Sequence, residues 1–159
     1  MPTRTLLLAC GNSLRADDGI APWLAHWAEC HLFQPSLRIL IVPEWHPELA
    51  LELSHAHTAL FLDASELLPP AQTALEHLHQ ADKNTTFSHH CDTGALLALC
   101  LLLYGRAPSE ALLLSIGIES TEPGEGFSPP LAAAQPRLCA SLEDALSSLM
   151  HPANTPLLT

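Results

Sequence analysis

A chain of 159 residues that is 48% apolar and only 14% charged holds enough hydrophobic material for one cored domain, which excludes wholesale disorder. Its net charge of −11, with six Lys and Arg in all, excludes the phosphate-neutralising surface that nucleic acid needs and disfavours anionic membranes. Five cysteines, none in a Cys-x-x-Cys pair, argue against a disulfide framework or a zinc knuckle and for a reducing compartment.

The pattern along the chain predicts strands alternating with helices. Thr5–Cys10 is a continuous apolar run, as for a strand covered on both faces. It is too short for a signal-peptide core or a membrane span, so a soluble cytoplasmic protein is expected. After Gly11-Asn12 a helix is predicted from Asp18 to about Leu32, with Ile20, Leu24, Trp27 and Ala28 at helical spacing. Leu37–Val42 is a second strand, Glu48–Ser54 a short helix, and Thr58–Leu62 a third strand running into Asp63.

Thr73–Leu78 fits an edge strand, and residues 81–88 a polar loop. Thr93–Tyr104 is a helix closed by Gly105, and Ala111–Ile118 another buried strand. Ser128-Pro129 opens a last helix toward Met150, with an interruption expected at Pro136. These elements predict an α/β three-layer sandwich: a mostly parallel twisted sheet of about five strands with helices on both faces. One domain is expected over residues 1–150, followed by a frayed tail over 151–159.

Three places on this scaffold could carry chemistry. Asp17 and Asp18 stand where the first helix begins; one acid can cap it while its neighbour points into the crevice beyond the strand ends, and the expected division is Asp17 as the cap and Asp18 in the crevice. Asp63 ends the third strand, and in a parallel sheet it shares one rim with Asp18. His89 and His90 lie just before the third long helix, again at a rim position. Two carboxylates and an imidazole suit borderline divalent metals such as nickel or zinc and leave coordination positions open. Cys91 beside His90 is a poor thiol nucleophile, because adjacent residues seldom face each other and no oxyanion loop is evident. The first turn lacks the glycines of a dinucleotide loop and the Gly-Lys-Ser/Thr of a phosphate loop. Trp23, Trp27 and Trp45 could line a partner groove, with Trp27 the one expected in the core.

The set Gly-Asn-Ser-Leu-Arg-Ala-Asp-Asp-Gly (residues 11–19), Pro47-Glu48-Leu49-Ala50, Phe61-Leu62-Asp63-Ala64-Ser65, Ser88-His89-His90, Tyr104-Gly105-x-x-Pro108 and Gly124-Glu125-Gly126-Phe127-Ser128-Pro129 resembles the hydrogenase maturation endopeptidases. Each motif alone is weak; the ordered set, over about residues 4–149, is specific. Pro43-Glu44-Trp45-His46 replaces a turn that is Gly-rich in one branch of the family, which places the chain with the branch bearing Pro-Glu-Leu-Ala.

The resemblance implies a nickel-dependent endopeptidase that removes the C-terminal extension of a [NiFe] hydrogenase large-subunit precursor. The nickel would arrive already seated in that precursor. Metal-contacting residues carried over from the family fall on Asp18, Asp63 and a histidine. Gapless spacing to Gly105 and Pro108 favours His90, while a one-residue shift would give His89. Water activation could fall to the metal, to Asp17 or to Asp63. A monomer is expected. The alternative is a non-catalytic nickel-sensing or chaperone-like binding protein on the same fold.

Overall fold

The computed structural model describes residues 4–79 and 92–152. Strands β1 (Thr5–Cys10), β2 (Leu37–Val42), β3 (Thr58–Ser65), β4 (Thr73–His77) and β5 (Glu110–Gly117) form one sheet in the order β2-β1-β3-β5-β4. All neighbours are parallel except β4, which pairs antiparallel with β5 at the edge. Helices α1 (Ile20–His31) and α4 (Pro129–Met150) cover one face, and α2 (Leu49–Ser54) and α3 (Thr93–Tyr104) cover the other. The expected three-layer α/β architecture is what forms.

Alternation along β1 explains its unbroken apolar run. Leu7 and Ala9 enter the core under α1 and α4, while Leu6, Leu8 and Cys10 enter the core under α2 and α3. The same split holds in β3, where Leu60 and Leu62 face one way and Ala59 and Phe61 the other. Apart from Cys10 at 8%, these side chains are 0–1% exposed, so both faces of the sheet are covered and its ends are left for chemistry.

Helix α3 has the predicted bounds. Asp92 caps its first turn by accepting the Ala95 N–H at 2.7 Å, and Gly105 closes it in the left-handed region at φ 68°. Beyond one-residue shifts at the end of β4 and the start of α2, four details differ from expectation. The acids after β1 precede the α-helix, in a 3-10 turn over Ala16–Gly19. Strand β3 runs three residues further, so Asp63 is paired inside the sheet opposite Cys10 of β1 and Ser115 of β5. Strand β5 lies one residue earlier at both ends.

The fourth difference is α4, which runs through Pro136 without a break. Pro136 lies on the exposed face, so the carbonyl it leaves unbonded, one turn back at Ala132, is also on the solvent side. Leu131, Ala134, Leu138 and Leu142 keep the opposite face packed on the sheet. The polar stretch 81–88, the His89-His90 pair, Cys91 and residues 153–159 of the tail lie outside the described residues.

Candidate functional site

In this strand order the chain leaves β1 toward β2 on one side and returns to β3 on the other. The crevice beyond the carboxyl ends of β1 and β3 is therefore the topological switch point, where open α/β sheets bind their ligands. Asp18 reaches it from the 3-10 turn that follows β1, and Asp63 reaches it from the last residues of β3.

The Asp18 carboxylate is oriented from below: its Oδ2 accepts the Asn12 N–H at 2.9 Å. Asn12 in turn folds the loop by accepting the Leu14 N–H on its own side-chain oxygen at 2.9 Å. Gly11 is required at the base of this loop, because a Cβ there would collide with the Asp18 carbonyl. On the other side of the crevice, the Trp45 indole N–H donates to Asp63 Oδ2 at 3.3 Å. Trp45 is held edge-on to Phe61, with ring centroids 5.4 Å apart.

Burial pushes the Asp63 carboxyl up from 3.8 to about 6; the Trp45 and Ala64 hydrogen bonds pull against this, and the neighbouring Asp18 charge adds to it. Cys10, the β1 partner of Asp63, completes the floor. Its thiol is pushed up to about 12, first by burial and then by Asp63, Asp18 and Glu44. Cys10 is therefore a neutral thiol and no nucleophile. Two carboxylates, one of them protonatable near neutrality, meet at one rim in a part-buried setting. Such a pair can donate oxygens to a divalent ion or hold and release a proton.

Asp17 has a different task. It is fully buried, and its carboxylate accepts four hydrogen bonds from the far side of the chain: the Ser128 N–H at 2.7 Å, the Ser128 hydroxyl at 2.7 Å, the Glu119 N–H at 2.9 Å and the Ser120 N–H at 3.2 Å. Burial alone would raise its pKa; the bonds from Ser128, Glu119 and Ser120 outweigh it and hold the carboxyl below 3.8. Asp17 makes no cap bond to the helix that follows it. It ties residues 119–128 to the first loop, a tie repeated where Ala16 donates to the Gly124 carbonyl and Gly124 to the Leu14 carbonyl.

The structure thus brings Asp18 and Asp63 together and leaves His90, with its alternative His89, outside the described residues. Among the described residues no three His, Cys, Asp or Glu side chains converge as a metal set. Asp18 and Asp63 alone offer oxygen donors, which suit hard divalent ions; the nitrogen donor that a borderline ion favours would have to come from outside the described residues. Sequence reasoning missed Cys10 and Trp45 as site neighbours. Cys10 was legible as the last residue of β1, one register step from Asp63; nothing in the local pattern pointed Trp45 at Asp63.

Neither a family model nor a curated protein matches the sequence. Solved structures do match its fold. The hydrogenase maturating endopeptidase HybD from E. coli superposes with a TM-score of 0.73 at 22% identity, covering 91% of this chain and 93% of that one. The hydrogenase 2 maturation peptidase from Thaumarchaeota archaeon SCGC_AB-539-E09 gives 0.68 at 22% identity, covering 91% and 98%. The [NiFe] hydrogenase maturation protease HycI from Thermococcus kodakarensis KOD1 gives 0.67 at 18% identity, covering 91% and 93%. At such identities the likeness is one of fold, over nearly the whole length of both partners.

Proposed function

We propose that this chain is a hydrogenase maturation endopeptidase that removes the C-terminal extension of a [NiFe] hydrogenase large-subunit precursor. The observation that carries the proposal is the meeting of Asp18 and Asp63 at the switch point, on a fold that similar structures named as such peptidases share end to end. The ordered motifs from Gly11 to Pro129 support it independently.

In this reading nickel belongs to the substrate, and Asp18, Asp63 and His90 are the residues that would contact it. Bound nickel supplies Lewis acidity at the scissile carbonyl or at water. The protein's own share is orientation and proton handling. The Asn12 N–H fixes the Asp18 carboxylate, and the Trp45 indole fixes that of Asp63. Burial pushes the Asp63 carboxyl up to about 6 before any metal arrives, so it can hold a proton near neutrality that it would give up as nickel binds. Asp17, buried and fully hydrogen-bonded, does not hold one. Two carboxylates and one imidazole make a weak site alone, so tight engagement would wait for a precursor that brings its own thiolates.

Purified protein mixed with nickel-loaded precursor should shorten it, as read by mass spectrometry, and leave nickel-free precursor intact. Asp18→Ala, Asp63→Ala and His90→Ala should each abolish shortening while the thermal transition stays near wild type. Cleavage that ignores nickel would sink the gating. Stable binding of precursor without a mass change would instead favour a non-catalytic nickel-sensing protein.

A further inference from the structure

Next to the Asp18 turn lies a cleft of about 360 Å³, within the size range of ligand pockets, lined by Ser13, Gly19, Pro22, Trp23, His26 and Phe127. One wall is aromatic: Trp23 from α1 and Phe127 meet edge-to-face, with centroids 6.1 Å apart and planes at 88°. Elsewhere in the lining the loop and the 3-10 turn are in close contact, since a Cβ on Gly19 would come within 2.8 Å of Ser13 Cα. Neither Trp23 nor Phe127 is fully buried, although both pack against the core beneath.

The cleft shares its loop with the crevice. Ser13 follows Asn12, whose N–H orients Asp18, and Gly19 follows Asp18 itself. Phe127 precedes Ser128, which Asp17 grips by both backbone and side chain. One pair of adjacent acids therefore fixes the aromatic wall and the candidate site relative to each other. An extended peptide sends successive side chains to opposite sides, so a chain laid across this loop can turn one side chain toward the cleft and the next toward the crevice.

The charge around it is one-sided. Glu125 also lines the cleft, and Asp18, Asp63 and Glu44 edge the neighbouring crevice. The His26 ring bonds Glu29 at 3.2 Å, and the nearby Arg15 donates to the Thr121 carbonyl at 3.4 Å.

We propose that this cleft is a substrate-specificity pocket: it receives a bulky apolar side chain from the polypeptide stretch beside the bond that is cut, on a segment free of Asp and Glu. The assignment rests on the peptidase reading above and adds to it the chemistry of the neighbouring substrate residue.

Two arms test it. In the first, N-acetyl-leucinamide and N-acetyl-aspartamide are titrated separately into the isotope-labelled protein, and the Trp23 indole N–H is followed by NMR. The leucine probe should shift that resonance and the aspartate probe should not. In the second, processing of nickel-loaded precursor is compared for wild type, Phe127→Ala and Phe127→Leu. Phe127→Ala should raise KM about tenfold with kcat nearly unchanged, and Phe127→Leu should restore most of the loss, which a general folding defect would not show. An unmoved Trp23 signal with the leucine probe, or a wild-type KM in Phe127→Ala, overturns the pocket. Wild-type protein that binds the leucine probe yet leaves the precursor intact supports the apolar receptor and overturns the peptidase reading.

Discussion

The Asp17 carboxylate takes both the backbone N–H and the hydroxyl of Ser128, each at 2.7 Å, across a sequence separation of 111 residues. Charge-assisted bonds of this length, in a fully buried setting, join the first loop to the entrance of α4. Removing the hydroxyl alone with Ser128→Ala should cost about 1 kcal/mol. Asp17→Asn sets an amide against a cluster of donors and should cost about 2–4 kcal/mol. Urea unfolding of both single variants and the double variant should show the losses to be less than additive, because both act on one network.

Asp63 makes stability depend on pH in a direction opposite to that of a salt-bridged acid. Its folded-state pKa of about 6 lies above the ordinary 3.8, so the native protein holds this proton more tightly than the unfolded chain does. Stability is therefore greatest below the unfolded value and declines as pH rises through the folded one. In metal-free protein, Asp63→Asn should match wild type near about pH 4 and exceed it near about pH 7 in urea midpoint. An unchanged difference across that window would mean that Asp63 is solvated.

Gly11 should tolerate no side chain. A Cβ there meets the Asp18 carbonyl and the Pro22 ring, and neither can retreat without moving the turn that carries the site. Gly11→Ala should lose roughly 2–4 kcal/mol, read by thermal unfolding, and should lose precursor processing even at temperatures where it remains folded.

The thiols should separate by reactivity. Cys30 is exposed, whereas burial pushes Cys10 up to about 12, Cys100 up to about 11, and Cys139 above its ordinary value. With Cys91 replaced by serine, a disulfide reagent at mildly alkaline pH should find a single fast thiol, and Cys30→Ser should remove it. A fast reaction at Cys10 would show the crevice floor to be open.

Most of the fold was legible because its strands are apolar runs of the right length between turn residues. Thr5–Cys10, Leu37–Val42 and Thr93–Tyr104 have the expected bounds. Pro136 misled because local chemistry forbids what a strong buried stripe on the other side of the helix enforces. At the site, Asp18 and Asp63 were legible from their positions after two neighbouring strands. The role of Asp17 was not, because its partners Glu119, Ser120 and Ser128 are more than 100 positions away. The Trp45 bond to Asp63, only 18 positions apart, escaped for a different reason: periodicity reports which face a residue is on, and not which loop leans over it.

The 3-10 turn that holds Asp17 and Asp18 advances about 120° per residue, so two neighbours on it look in different directions. One carboxylate is buried as an anchor and the other is presented to the crevice, and the phase of the turn alone decides which is which. A one-residue insertion or deletion between Gly11 and Asp17 would move one acid into the direction of the other and turn the second away from both, while leaving the composition of the loop almost unchanged. The length of this loop is therefore under the same constraint as its acids, and substitution scanning cannot reveal it. A length series could.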